Sequence, residues 1–235
     1  LTINSVSAGR DQQTSSVEIF GRRAMDRFFL TVALLCVAPI TQSADAIYLA
    51  LDGSGEDRRG ASYLQKPLHE SWGIEPRNFY YVPWSGEYRK THDEISSVKT
   101  QLHNLVKLSQ TRGQPLVVVG HSWGSVLAYR AILELGRAGT IGVNAVTVFV
   151  TMGSPLNAQS RISDLSVRDY GAWEGPESIA EYVGSWRNYW ISGDNISGPI
   201  PNAQENPPTP YWFSRLINAH RAYFRNSRIL NGIGN

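Results

Sequence analysis

The chemistry this chain could perform starts at Gly120-His121-Ser122-Trp123-Gly124, where a serine stands between two glycines directly behind the β-branched run Val117-Val118-Val119. A chain needing only a turn could use a single Gly or Asn there. A serine that must leave a parallel strand and enter a helix at once takes a strained backbone conformation, and flanking glycines relieve the crowding. The Ser122 hydroxyl is then presented at the carboxyl edge of a sheet. It can act as a nucleophile once a histidine takes its proton and an acid orients that histidine. Strand, glycine and helix also describe phosphate cradles, but no Lys-Ser or Lys-Thr follows, as a P-loop requires, and the glycine spacing misses the dinucleotide fingerprint.

With a strand before it and a helix after it, the pattern is similar to the nucleophile elbow of the α/β-hydrolase superfamily. From about Ala46 to the C-terminus the chain resembles a compact lipase- or esterase-like member. The resemblance implies an acid and then a histidine after the serine in chain order. Of the five histidines, only His220 lies far enough downstream. His121 adjoins the nucleophile on a position that points elsewhere, and His69, His92 and His103 fall in or beside helical patterns, where a solvated surface role is expected. Asp164, Asp169 and Asp194 lie between Ser122 and His220. The family's acid follows a strand, which favours Asp194, behind Asn188-Tyr189-Trp190-Ile191, over Asp169, which has no strand before it. The competing role for Asp194 is that of a turn-forming residue. The resemblance also implies two oxyanion donors. One is the backbone N–H of Trp123; the other comes from Asp52-Gly53-Ser54-Gly55 after the first strand, with Ser54 the first choice and Gly53 the second. That loop departs from the His-Gly type of sequence that many relatives carry there.

These residues need elements to position them. Ile47 to Leu51 reads as a strand, Ala61 to Trp72 as a helix, and Phe79 to Val82 as a strand stopped by Pro83. Ile95, Val98, Leu102, Leu105, Val106 and Leu108 recur at helical spacing, Thr91 with Glu94 suggests a capping box, and Arg112-Gly113 closes the helix. Leu116 to Gly120 is the strand before the elbow, Trp123 to Arg137 a helix, Ala145 to Val150 a strand and Asn188 to Ile191 another, with a terminal helix or two after Leu216. Apolar strands separated by helices predict an α/β fold, with a mostly parallel central sheet covered by helices on both faces. No clear strand separates Asp194 from His220, so the sheet is expected to be short, with about five or six strands. Leu156 to Ser185 and Ile196 to Tyr211 read as irregular. Their aromatic residues, Trp173, Tyr182, Trp186, Tyr211, Trp212 and Phe213, are either satellite core or the lining of a substrate groove.

The 235 residues carry a formal charge of +2 and 42% hydrophobic content, which fits one globular domain over 47–235. The basic residues are scattered, which argues against a nucleic-acid partner. Arg22, Arg23 and Arg27 precede an apolar run from Phe28 to Ile40, and Ala44-Asp45-Ala46 closes it in small-x-small form. This reads as a signal peptide over 25–46, cleaved after Ala46 or, as a second choice, Ala44, so that the protein is secreted or periplasmic. The run falls short of the ~20 residues of a membrane span, so no stable membrane anchor is expected. Residues 1–24 are a polar, patternless extension. Cys36, the one cysteine, lies inside the apolar run, so the mature domain is expected to have neither a disulfide nor thiolate chemistry.

The expectation is a serine hydrolase acting on a small-molecule or lipid ester through an acyl-enzyme, with Ser122, His220 and Asp194 as the triad. Neither a metal nor an organic cofactor is implied. The rivals are a thioesterase or amidase with the same triad, and a hydrolase scaffold that binds without turnover.

Overall fold

The computed structural model describes residues 45–55, 62–156, 164–191, 194–203, 208–209, 220 and 223. Two unbroken runs form its centre. Ile47–Leu51 (β1) and Leu116–His121 (β3) are buried at every residue and pair in parallel, Ile47 opposite Leu116 and Leu51 opposite Gly120. Phe79–Tyr81 (β2) flanks β1; Val146–Met152 (β4), Val183–Ile191 (β5) and Pro208–Thr209 (β6) extend the other side. Among the described residues the strands run β2-β1-β3-β4-β5-β6 with every pairing parallel, the sheet that the alternation of apolar runs predicts.

The α-helices among the described residues are Gln65–Trp72 (α1), Thr91–Arg112 (α2), Trp123–Arg137 (α3) and Asp164–Gly171 (α4). Successive residues of a strand face opposite sides of its sheet, and β1 divides its side chains accordingly. Ile47, Leu49 and Leu51 join the core with Val98 and Leu102 of α2 and Val126 and Leu127 of α3, while Tyr48 and Ala50 join Leu68 of α1 and Tyr223. The chain steps from β1 to β2 in one direction and from β3 onward in the other. Because crossovers are right-handed, the helices of the two directions cover opposite faces. The reversal lies between β1 and β3, and such sheets bind ligands in the crevice outside the carboxyl ends of those strands. Gly53 follows β1 there, and Ser122 follows β3.

Two local expectations are corrected. Thr91 and Glu94 form no capping box. The Thr91 hydroxyl donates to the Tyr88 carbonyl and accepts the Trp123 indole N–H at 2.8 Å, while the Glu94 carboxylate accepts the Ser85 amide at 3.0 Å. Tertiary partners have taken both groups from the helix end. Gly113 does close α2, in the left-handed conformation at φ 62°.

The segment from Leu156 to Ser185 is not wholly irregular. It holds α4, a 3₁₀ turn at Pro176–Ile179 and the start of β5, which begins at Val183 rather than Asn188. The apolar signal is interrupted there because Gly184 is exposed, at a position where a Cβ would come 2.8 Å from the Thr147 carbonyl oxygen, Ser185 is half-buried, and Arg187 is polar although buried.

Of the aromatic residues in and just after that segment, Trp186 belongs to the core and Trp173 and Tyr182 pack half-buried against it, the first of the two alternatives. Trp186 is 6% exposed, its ring centroid lies 5.1 Å from that of Phe149, and Trp173 lies 4.9 Å from Tyr129 of α3. Tyr211, Trp212, Phe213, the helix expected after Leu216 and the signal peptide up to Ala44 lie outside the described residues. No described helix is long and apolar enough to cross a membrane.

Candidate functional site

Ser122 occupies the turn between β3 and α3 with φ 50° and ψ −126°, a conformation that side-chain-bearing residues rarely adopt. The two glycines of the motif are explained by close backbone approach. A Cβ on Gly120 would come 2.5 Å from Ser125 Cα, and one on Gly124 would come 2.5 Å from the Asp52 carbonyl oxygen. The elbow is therefore pressed against the carboxyl end of β1. Its amide continues the sheet ladder, donating to the Met152 carbonyl at 2.9 Å.

Ser122 is also the N-cap of α3, where a serine ordinarily turns its oxygen onto an amide of the first turn. No such bond is made. The hydroxyl lies 2.7 Å from His220 Nε2, and His220 Nδ1 lies 3.0 Å from Asp194 Oδ2. A carboxylate only accepts, so Nδ1 carries the ring proton and Nε2 accepts the Ser122 O–H. Three residues selected from chain order thus lie in one continuous line of hydrogen bonds. Asp169 takes no part in it.

Asp194 is held from four sides. Besides the His220 bond, Oδ2 accepts the Ser197 hydroxyl at 2.7 Å and the Tyr223 hydroxyl at 2.9 Å, and Oδ1 accepts the Ile196 amide at 2.9 Å. Burial alone would raise its pKa. The bond and charge of His220, followed by the Ser197 and Ile196 bonds, outweigh that and hold the carboxyl at about 2, against an ordinary 3.8. The Tyr223 phenol is pushed up by burial and then by the Asp194 charge, so it remains a donor. Ser197, three residues beyond the acid, and Tyr223 carry no motif, and the position of Tyr223 at the acid appears only once the chain is folded.

The expected oxyanion donors differ in availability. The Trp123 amide is the first of α3, and helix-initial amides have no partner within the helix. The Gly53 amide donates to the Tyr63 hydroxyl at 2.8 Å, and the Ser54 hydroxyl donates to the Gly86 carbonyl at 2.5 Å. Gly53 packs so tightly on the elbow that a Cβ there would come 2.8 Å from Ser122 Cβ.

Of the remaining histidines, His92 is exposed beside Arg130, whereas His69 and His103 are half-buried rather than solvated, and each keeps one buried ring nitrogen without a bond. His121 is buried, between Tyr63 and His220. Among the described residues no cluster of His, Cys, Asp or Glu could hold a metal ion.

No family model and no curated protein matches the sequence. Solved structures do match. The chain is similar to a thermostable esterase from Pseudomonas putida, with TM-score 0.54 and 12% identity over 81% of this chain and 72% of that one. It is likewise similar to a cutinase-like protein from Cryptococcus sp., with TM-score 0.51 and 13% identity over 84% of this chain and 94% of that one. At such identities the likeness is one of fold.

Proposed function

We propose that this chain, which has the α/β-hydrolase fold, is a serine hydrolase that cleaves carboxylic esters through an acyl-enzyme. The observation that carries the reading is the Ser122 hydroxyl, withheld from capping its own helix and bonded to His220 Nε2. Ser122 Oγ attacks the ester carbonyl carbon while its proton passes to His220 Nε2. Asp194, kept ionised, stabilises the resulting imidazolium through Nδ1–H. The oxyanion is met by the amides of Trp123 and Ser54, because the Gly53 amide is engaged by Tyr63. Collapse expels the alcohol, which takes the proton from Nε2. Water then repeats the sequence on the acyl-enzyme and releases the acid.

The neighbours' names, an esterase and a cutinase-like protein, favour an ester over a thioester or amide. The substrate is thus a small-molecule or lipid ester, and nothing in these steps calls for a metal or cofactor. We further propose export, with cleavage after Ala44 rather than Ala46. Ala46 is 2% exposed, and the Ile47 amide donates to the Pro115 carbonyl at the head of a central strand, where a new α-ammonium would be buried. Asp45 is exposed.

Covalent labelling by a fluorophosphonate tests the activity. The parent is expected to label at one site, Ser122→Ala not at all, and His220→Ala at least about a hundredfold more slowly. A folded parent that fails to label, or a Ser122→Ala variant that still labels, overturns the reading.

A further inference from the structure

His121 has no part in the steps above, yet it is 1% exposed and spends both ring nitrogens on segments that carry the site. Nε2 lies 3.1 Å from the main-chain carbonyl oxygen of His220, and Nδ1 meets the Tyr63 hydroxyl. A carbonyl oxygen only accepts, so Nε2 carries the ring proton and Nδ1 accepts the Tyr63 O–H. The Tyr63 oxygen in turn accepts the Gly53 amide at 2.8 Å. All three bonds therefore run with one polarity, from Gly53 through Tyr63 and His121 to the His220 carbonyl. Tyr63 is anchored at its other end, where its amide donates at 3.1 Å to the fully buried Asp52 carboxylate, which also accepts the Ser62 hydroxyl at 2.8 Å.

We infer that Tyr63 and His121 are positioning residues that lock the loop carrying the Ser54 oxyanion donor to the main chain of the general base. The inference rests on the serine hydrolase reading. Asp194 fixes the tilt of the His220 ring, but it does not fix the backbone from which that ring projects. The bond from His121 does, and the bond from Gly53 to Tyr63 sets the adjoining Ser54 amide by the same means. Proton acceptor and oxyanion donor are thereby held in one frame around Ser122. Displacements of about 1 Å in such a frame cost up to roughly a hundredfold in rate.

The test uses the full chain, with Tyr63→Phe, His121→Leu, the double variant and His121→Gln, which keeps a donor directed at the His220 carbonyl. Turnover of a p-nitrophenyl ester and the rate of fluorophosphonate labelling are measured, with thermal unfolding to establish that each variant is folded. Tyr63→Phe and His121→Leu are each expected to lower kcat and labelling about tenfold, with KM changed by less than about twofold. The double variant should be no slower than the slower single, since both remove the same connection. His121→Gln should recover to within about threefold of the parent. Unchanged kcat in folded Tyr63→Phe, losses that multiply in the double variant, or His121→Gln as slow as His121→Leu would each overturn the inference. Should His121→Leu not fold, Tyr63→Phe decides alone, because it removes one oxygen and leaves the ring packing intact. A parent that labels normally beside unaffected variants defeats only this inference, whereas an unreactive parent defeats the hydrolase reading with it.

Discussion

Ser122 and Ser125 lie one helical turn apart, and the hydrogens of their hydroxyls go to different ends. Ser125 donates its own to the Ser122 carbonyl and accepts from the buried Ser154 hydroxyl, as a structural serine does. Ser122 directs its own at an imidazole. At Asp194, a folded-state pKa of about 2 lies below the ordinary 3.8. Its ionisation therefore adds stability that is fully present above pH ~4 and is lost as pH falls toward ~2, amounting to about 2 kcal/mol. Denaturant unfolding at several pH values is expected to reveal this contribution in the parent and its absence in Asp194→Asn; equal pH dependence of the two would refute it. Ser122 was legible from sequence because its constraints are local: a strand, a turn, and a glycine pressed on Ser125. His220 and Asp194 were legible through chain order. Tyr63 and Tyr223 were not, since their roles depend on His121 and Asp194, partners that only folding brings near, 58 residues away for Tyr63 and 29 for Tyr223; Ser197 is only three residues from Asp194 but carries no motif.

Among elements, the junction of β1, β3 and α3 sets the precision of the site. Gly124 lies against the Leu51 and Asp52 carbonyls, which belong to backbone and cannot rotate aside. Gly124→Ala is expected to destabilise the fold by about 2 kcal/mol or more and to slow fluorophosphonate labelling, as urea unfolding and labelling rates would establish. A substitution tolerated without loss would mean that β1 and the elbow are not in contact. The helix layer is tied together separately. Glu134 of α3 receives Lys99 of α2 at 2.7 Å and Arg130 at 2.6 Å, and Arg130 also donates to the Tyr170 carbonyl of α4. Elements with long, pure patterns, such as β3, α2 and α3, were legible nearly to the residue. The short α4 was not, nor was the opening of β5, where an exposed Gly184, a half-buried Ser185 and a polar though buried Arg187 leave no apolar run to mark the strand.

On the scale of the whole molecule, the sheet itself dictates where a mature chain can begin. Under the export proposed above, with Ile47 fully buried and its amide bonded in the sheet, the first residue of the mature chain is expected to be Asp45, which mass spectrometry of the processed protein would check. A terminus at Ile47 would show that the head of β1 tolerates a free ammonium. The line of bonds from Ser122 to His220 spans 98 residues, and that from His220 to Asp194 spans 26. Contacts so distant in the chain form late, after the closure entropy of the intervening segments has been overcome. In the proposed reading, a chain still being synthesised, or still threading unfolded through a membrane pore, therefore carries an ordinary alcohol at Ser122. Latency until arrival is inherent in the topology and requires no separate inhibitor.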